Sequence, residues 1–172
     1  PELALVDASD KWEAEVASPV THSLAGELAR QRLTKASWSR LLSPLKALQK
    51  VHGILQPEAE VPAGELPARS HPLWRAAAKS KRFSLIGRRK IKRRTHINLS
   101  ELSAALASEA RRSRKHPNSR LLLGSDSQVV LGALVRGRAS SASLNQKLRR
   151  HLPWLLAYNT YPAVNYVNTA DN

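Results

Sequence analysis

Neither cysteine nor methionine occurs among the 172 residues, and aromatic side chains make up only 5%. The missing thiols exclude disulfides, thiolate nucleophiles and cysteine-ligated zinc together. Histidine offers no substitute, because the six histidines are scattered and none is spaced as HxxxH or HExxH. No apolar run reaches the roughly 18 residues of a transmembrane helix, so no membrane span is expected. The chain opens on Pro1 without a readable targeting signal, which fits a piece of a longer or processed polypeptide.

Acid is also scarce. There are 13 Asp and Glu against 28 Lys and Arg, a formal charge of +15. Such an excess repels itself unless a polyanion neutralises it, so nucleic acid is the expected partner. An intracellular place, in a nucleus or an organelle, is the expectation, and no targeting signal says which. An anionic membrane surface is disfavoured, because no basic segment carries a clean apolar face opposite its charges. Hydrophobic residues at 42% suffice for one ordinary domain with a real core.

What is present reads as alternating strands and helices. Leu3 to Val6 form a short apolar run ending at Asp7. Trp12, Ala14 and Val16 then alternate with Glu13, Glu15 and Ala17, the period of a half-buried strand. Leucines at helical spacing predict two or three short helices over 21–55, before a proline-rich linker ending near Pro72. "KRFSLIGRRKIKRR" predicts one strand or a bent pair, and "THINLSELSAALASEARRSRK" a strong helix. "RLLLGS" predicts a buried strand, "SQVVLGALVRG" a helix stopped by Gly137, and "SASLNQKLRRHLPWLLAYN" a helix kinked at Pro153. "YPAVNYVN" predicts the last strand, and the order is that of an α/β layer fold with at least one parallel pair.

Charge placement is the sharpest signal. From Leu66 to Ser100 there are 11 Lys and Arg and no acid. Lys79, Lys81, Arg82, Arg88, Arg89, Lys90, Lys92, Arg93 and Arg94, with Arg111, Arg112, Arg114 and Lys115, are the candidate nucleic-acid contacts. From Leu66 onward only Glu101, Glu109, Asp126 and Asp171 are acidic. Glu101 is expected in the first turn of its helix, Asp126 at the end of a buried strand and Asp171 past the last one. Asp7 repeats the Asp126 pattern. Carboxylates at strand ends are hard oxygen ligands suited to Mg²⁺ or Mn²⁺. Each also has a plainer reading. Asp126 or Ser127 would cap a helix, Glu101 would complement a helix dipole, Asp7 would start a turn, and Asp171 would be an exposed loop acid. Trp38, Trp74 and Trp154 read as core, and Trp12 as a residue at a site edge.

"THINLSELSAAL", "LLLGSDSQVVLGALVRGRASSASLNQKLRR" and "AVNYVNTADN", in this order, resemble the ribonuclease H domain of retroelement reverse transcriptases, with DIRS-like elements nearest. The resemblance spans about residues 94–172 and 3–17, and residues 18–80 would be a helical insertion with a linker. It implies an α/β fold, a mixed five-stranded sheet flanked by helices, with the remainder of the domain over 81–172. It also implies metal-binding and catalytic roles for Asp7, Glu101 and Asp126, with Asp171 standing in for a fourth ligand. The family's last aspartate usually lies in an EN-x-x-AD run, of which Asp171-Asn172 matches only the beginning. Glycines that usually follow the first aspartate are absent from "DASDKWEAEVAS".

Two functions follow as expectations. One is a nuclease cleaving the RNA strand of an RNA:DNA hybrid with Mg²⁺ or Mn²⁺. The other is a domesticated, non-catalytic domain that binds RNA as a structural part of a ribonucleoprotein, such as an organelle ribosome, beside other proteins.

Overall fold

Strand β1, Glu2–Ala8, holds the centre of a five-stranded sheet whose order is β3-β2-β1-β4-β5 in the computed structural model. The structure describes residues 1–9, 11–34, 70–91 and 95–168. The other strands are β2, Trp12–Pro19; β3, Ser84–Lys90; β4, Arg120–Ser125; and β5, Tyr161–Tyr166. The first three run antiparallel, while β4 runs parallel to both β1 and β5. The sheet is therefore mixed, and helices flank it.

Alternation along the strands builds two cores, because successive side chains point to opposite faces. Leu3, Leu5, Leu122 and Ala163 face one side. There they meet Leu28 and Ala29 of α1, His22–Arg30, and Trp74, Ala77 and Ala78 of α2, Pro72–Ser80. Ala4, Val6, Leu123 and Val164 face the other side. That side is covered by α3, Ile97–Lys115, α4, Gln128–Arg136, and α5, Ala142–Tyr158. Trp74 is fully buried, and its indole N–H donates to the Leu28 carbonyl at 3.1 Å, pinning α2 to α1. Both ends of the expected 18–80 insertion thus belong to the sheet's cover. Of the helices expected over 21–55, α1 is described, while residues 35–69, which include Trp38 and most of the linker, lie outside the described residues.

Local chemistry explains the boundaries. His71 caps α2, and Pro72 at its first position loses no hydrogen bond there. Ser127 caps α4, which ends at Gly137 with φ +64°, a left-handed turn that glycine adopts without strain. Helix α5 runs on through Pro153, whose ring lies on the exposed side, and closes at Asn159.

One sequence expectation needs correction. Helix α3 starts at Ile97, capped by His96, so Glu101 lies in its second turn rather than its first. Distance from the helix end removes the dipole role considered for it. In β2 the alternation is present, but the Glu13, Glu15 and Ala17 face is the fully buried one. Helix α3 covers that face, and cationic and hydroxyl partners satisfy both carboxylates, as described next.

Candidate functional site

Parallel pairing of β1 with β4 decides where the acids meet. Leu3 lies opposite Leu122 and Leu5 opposite Gly124, so the same register carried two residues on brings Asp7 level with Asp126. Both strands end there, and carboxyl ends of parallel strands are where sites form in α/β sheets. Gly124 makes the approach possible. A Cβ at that position would lie 2.5 Å from Leu5 Cδ2 and 2.8 Å from Val167 Cγ2.

Asp7 reaches solvent, and its Oδ1 accepts from the Ala8 N–H at 2.7 Å. Partial burial of the carboxyl group, and then the Asp126 carboxylate facing it, raise its pKa above the ordinary value. Like charges this close favour a shared proton or a shared cation.

Glu101 joins the same edge through Ser127. The Ser127 hydroxyl donates to Glu101 Oε2 at 2.6 Å and accepts from the Val130 N–H at 3.4 Å. One serine therefore caps α4 and ties it to α3. The cap considered for Asp126 or Ser127 belongs to Ser127. Among the described residues, no group of three or more His, Asp or Glu is arranged to hold a metal ion. Asp171 lies outside the described residues.

The basic candidates divide by environment. Lys79, Arg82, Arg88, Arg89 and Lys90 are exposed, and Lys81 is half-buried. Lys92, Arg93 and Arg94 lie outside the described residues. On β3, the Arg89 Nε donates to Glu13 Oε2 at 3.0 Å, and the Arg88 guanidinium stacks 3.9 Å from the centre of the Trp12 ring. Arg111 forms an ion pair with Glu15, whose other oxygen accepts from the Ser108 hydroxyl at 2.8 Å. Gly87 permits this. It stands opposite Glu15, and a Cβ there would come within 3.1 Å of the Arg111 guanidinium. Arg114 stacks over Trp154, which in turn stacks on Tyr158. Lys115 donates to Glu2 Oε1 at 2.6 Å.

Arg112 is a correction. It is only 4% exposed, and its two terminal nitrogens donate to the Leu122 carbonyl at 2.7 Å and the Glu2 carbonyl at 2.6 Å. Burial lowers its pKa to about 10, offset by Glu2 and Glu109, so it stays charged at neutral pH while buttressing β1 and β4. A guanidinium so enclosed does not track a nucleic-acid backbone. The sequence also hid a buried pair, Glu109 and His151, whose Oε2 and Nε2 lie 2.9 Å apart between α3 and α5. Their 42-residue separation left no local signal.

Among the described residues, no helix is long and apolar enough to cross a membrane. In comparisons with family models, curated proteins and solved structures, the chain matches none.

Proposed function

We propose that the chain is a ribonuclease H-like domain that binds RNA or an RNA:DNA hybrid and cleaves the RNA strand. The observation that carries this reading is the juxtaposition of Asp7 and Asp126 at the carboxyl ends of two adjacent parallel strands. A mixed five-stranded sheet with helices on both faces is what the resemblance implies, and it agrees with the architecture.

The donor set fits hard divalent cations, since carboxylate oxygens suit Mg²⁺ and Mn²⁺. Asp7 and Asp126 would hold the ion, with Glu101 turning toward it from Ser127. Such ions supply an activated water and stabilise the leaving oxygen. The chain's own residues do the rest. Asp7 and Asp126 present oxygens preset by strand register, and Ser127 holds Glu101 within one residue of Asp126. Arg88, Arg89 and Lys90 on the edge strand, with Lys79, Lys81 and Arg82 before it, would engage phosphates. Arg114 on its aromatic shelf adds a positive face elsewhere.

A labelled RNA:DNA hybrid incubated with Mg²⁺ or Mn²⁺ tests the reading. Cleavage that Asp126→Asn abolishes, with hybrid binding kept within about threefold, is expected. A specific observation favours a second reading, a non-catalytic RNA-binding part of a ribonucleoprotein such as an organelle ribosome. Glu101 is hydrogen-bonded to Ser127, and the described acids form no three-ligand cluster. Salt-sensitive binding to structured RNA without any cleavage would select it.

A further inference from the structure

The edge strand β3 opens on an exposed hydroxyl, that of Ser84. This strand is last in the sheet order, and each of its residues except Gly87 is exposed. The chain enters it through Lys81, whose backbone is already extended, and through Phe83, half-buried against the core on the α1 side. Arg82, Ser84 and Leu85 are exposed, Leu85 to 63%. Kinase clefts select substrates by their charge pattern, basic residues shortly before the acceptor being one such pattern. Lys81 and Arg82 stand three and two residues before Ser84. The sequence frames Ser113 more heavily, in "RRSRK", but Ser113 is fully buried and shares a hydrogen bond with Thr160 at 2.8 Å. Ser141 follows Arg136 and Arg138, but its hydroxyl caps α5.

Strand register also sets a guanidinium beside Ser84. Ser84 lies opposite Ala17 and Gly87 opposite Glu15, with Ile86 as the extra residue of a bulge between them. Ala17 and Glu15 are alternate residues on the face of β2 that α3 covers, so Ser84 and Gly87 share that face, about 7 Å apart at strand rise. The Arg111 guanidinium lies over Gly87, with Nη2 3.1 Å from where a Cβ would stand. Its Nη1 pairs with Glu15, and the Arg111 side chain is 46% exposed. A phosphate on Ser84 would therefore meet an accessible guanidinium from the side.

We infer that Ser84 is a phosphorylation site for a protein kinase that reads basic residues before its acceptor, and that Arg111 holds the phosphate. Ser84 Oγ attacks the γ-phosphorus of ATP in the kinase; the O–P bond forms as the bond to ADP breaks, and the hydroxyl proton passes to a kinase carboxylate. The product carries about −1.5 to −2 charges at neutral pH, and guanidinium–phosphate hydrogen bonds are among the strong ones. It ties β3 to α3 through Arg111. It also cancels positive charge on the edge formed by Lys81, Arg82, Arg88 and Arg89, which weakens nucleic-acid binding there. Only this last consequence rests on the proposed function.

Incubation of the full chain with ATP and the catalytic subunit of cAMP-dependent protein kinase, followed by peptide mass spectrometry, tests it. Ser84 is expected to be the chief acceptor, and Ser84→Ala to remove most of the incorporation. Phosphorylation should raise the melting temperature by about 2 °C or more. In Arg111→Lys, which keeps a charge for Glu15 but not the second nitrogen, the rise should be less than half as large. These two results need no nucleic acid, which keeps this test apart from that of the nuclease reading. The phosphorylated chain should bind a labelled RNA:DNA hybrid at least about tenfold more weakly than the unmodified chain, with a shallower salt dependence. Phosphate absent from the folded chain or placed chiefly on another residue, a melting shift that Arg111→Lys leaves intact, or hybrid affinity unchanged by the phosphate would overturn the inference.

Discussion

Asp7 and Asp126 end neighbouring parallel strands, and the Asp7 carboxyl is held above its ordinary pKa by partial burial and by the Asp126 carboxylate. A folded-state pKa above the unfolded value means that protonated Asp7 favours folding. That contribution is complete below the unfolded pKa and is lost as pH rises through the folded one. At neutral pH the fold therefore carries a repulsion across the sheet edge, a cost that a cation would relieve.

Asp7→Asn removes that repulsion. Solvent screening limits the gain to under about 1 kcal/mol, so melting should rise by about 1–3 °C at neutral pH. The difference should shrink as pH falls through the raised folded-state pKa and be gone below the ordinary aspartate pKa, near about 3.9. Melting curves of both proteins across acidic and neutral pH check this, and a constant difference would contradict it.

Divalent cations should stabilise the wild type and not Asp126→Asn. Binding to the folded state alone adds stability that grows with the logarithm of ligand concentration. A scan of melting temperature against Mn²⁺ concentration should slope upward only in the wild type.

Gly124→Ala tests the packing beneath the pair. The added methyl would meet Leu5 and Val167 well inside van der Waals contact. Overpacking of this kind costs about 1–3 kcal/mol, read as a lower denaturant midpoint with an unchanged slope.

Ser127→Ala removes a helix cap and the hydroxyl that holds Glu101. Loss of the cap alone costs about 1 kcal/mol. Ser127→Gly should cost less as a cap change, because glycine is tolerated there, so chemical denaturation of the two variants side by side separates the roles.

Much of the fold was legible because its signals are local. "RLLLGS" is a strand bounded by Arg120 and Ser125, and Gly137 stops its helix where the left-handed turn requires it. Helix α2 went unread although Trp74, Ala77 and Ala78 sit at helical spacing, because the prolines before it read as linker. At the site, Asp7 and Asp126 were readable as the first acids following apolar runs. The partners of the basic residues were not. Glu13 reaches Arg89 across 76 residues, and Glu15 reaches Arg111 only where β2, β3 and α3 converge. A run without local acids therefore looked barer than it is. Arg112 looked like its neighbours until the helix phase turned it into the core.

Cleavage of the RNA strand of a labelled hybrid in Mg²⁺ and in Mn²⁺, with Asp126→Asn alongside, tests the central claim most directly. The account predicts metal-dependent cleavage in the wild type and none in the variant, with hybrid binding retained by both. Absence of cleavage by the wild type in either metal, or full cleavage by the variant, would contradict it.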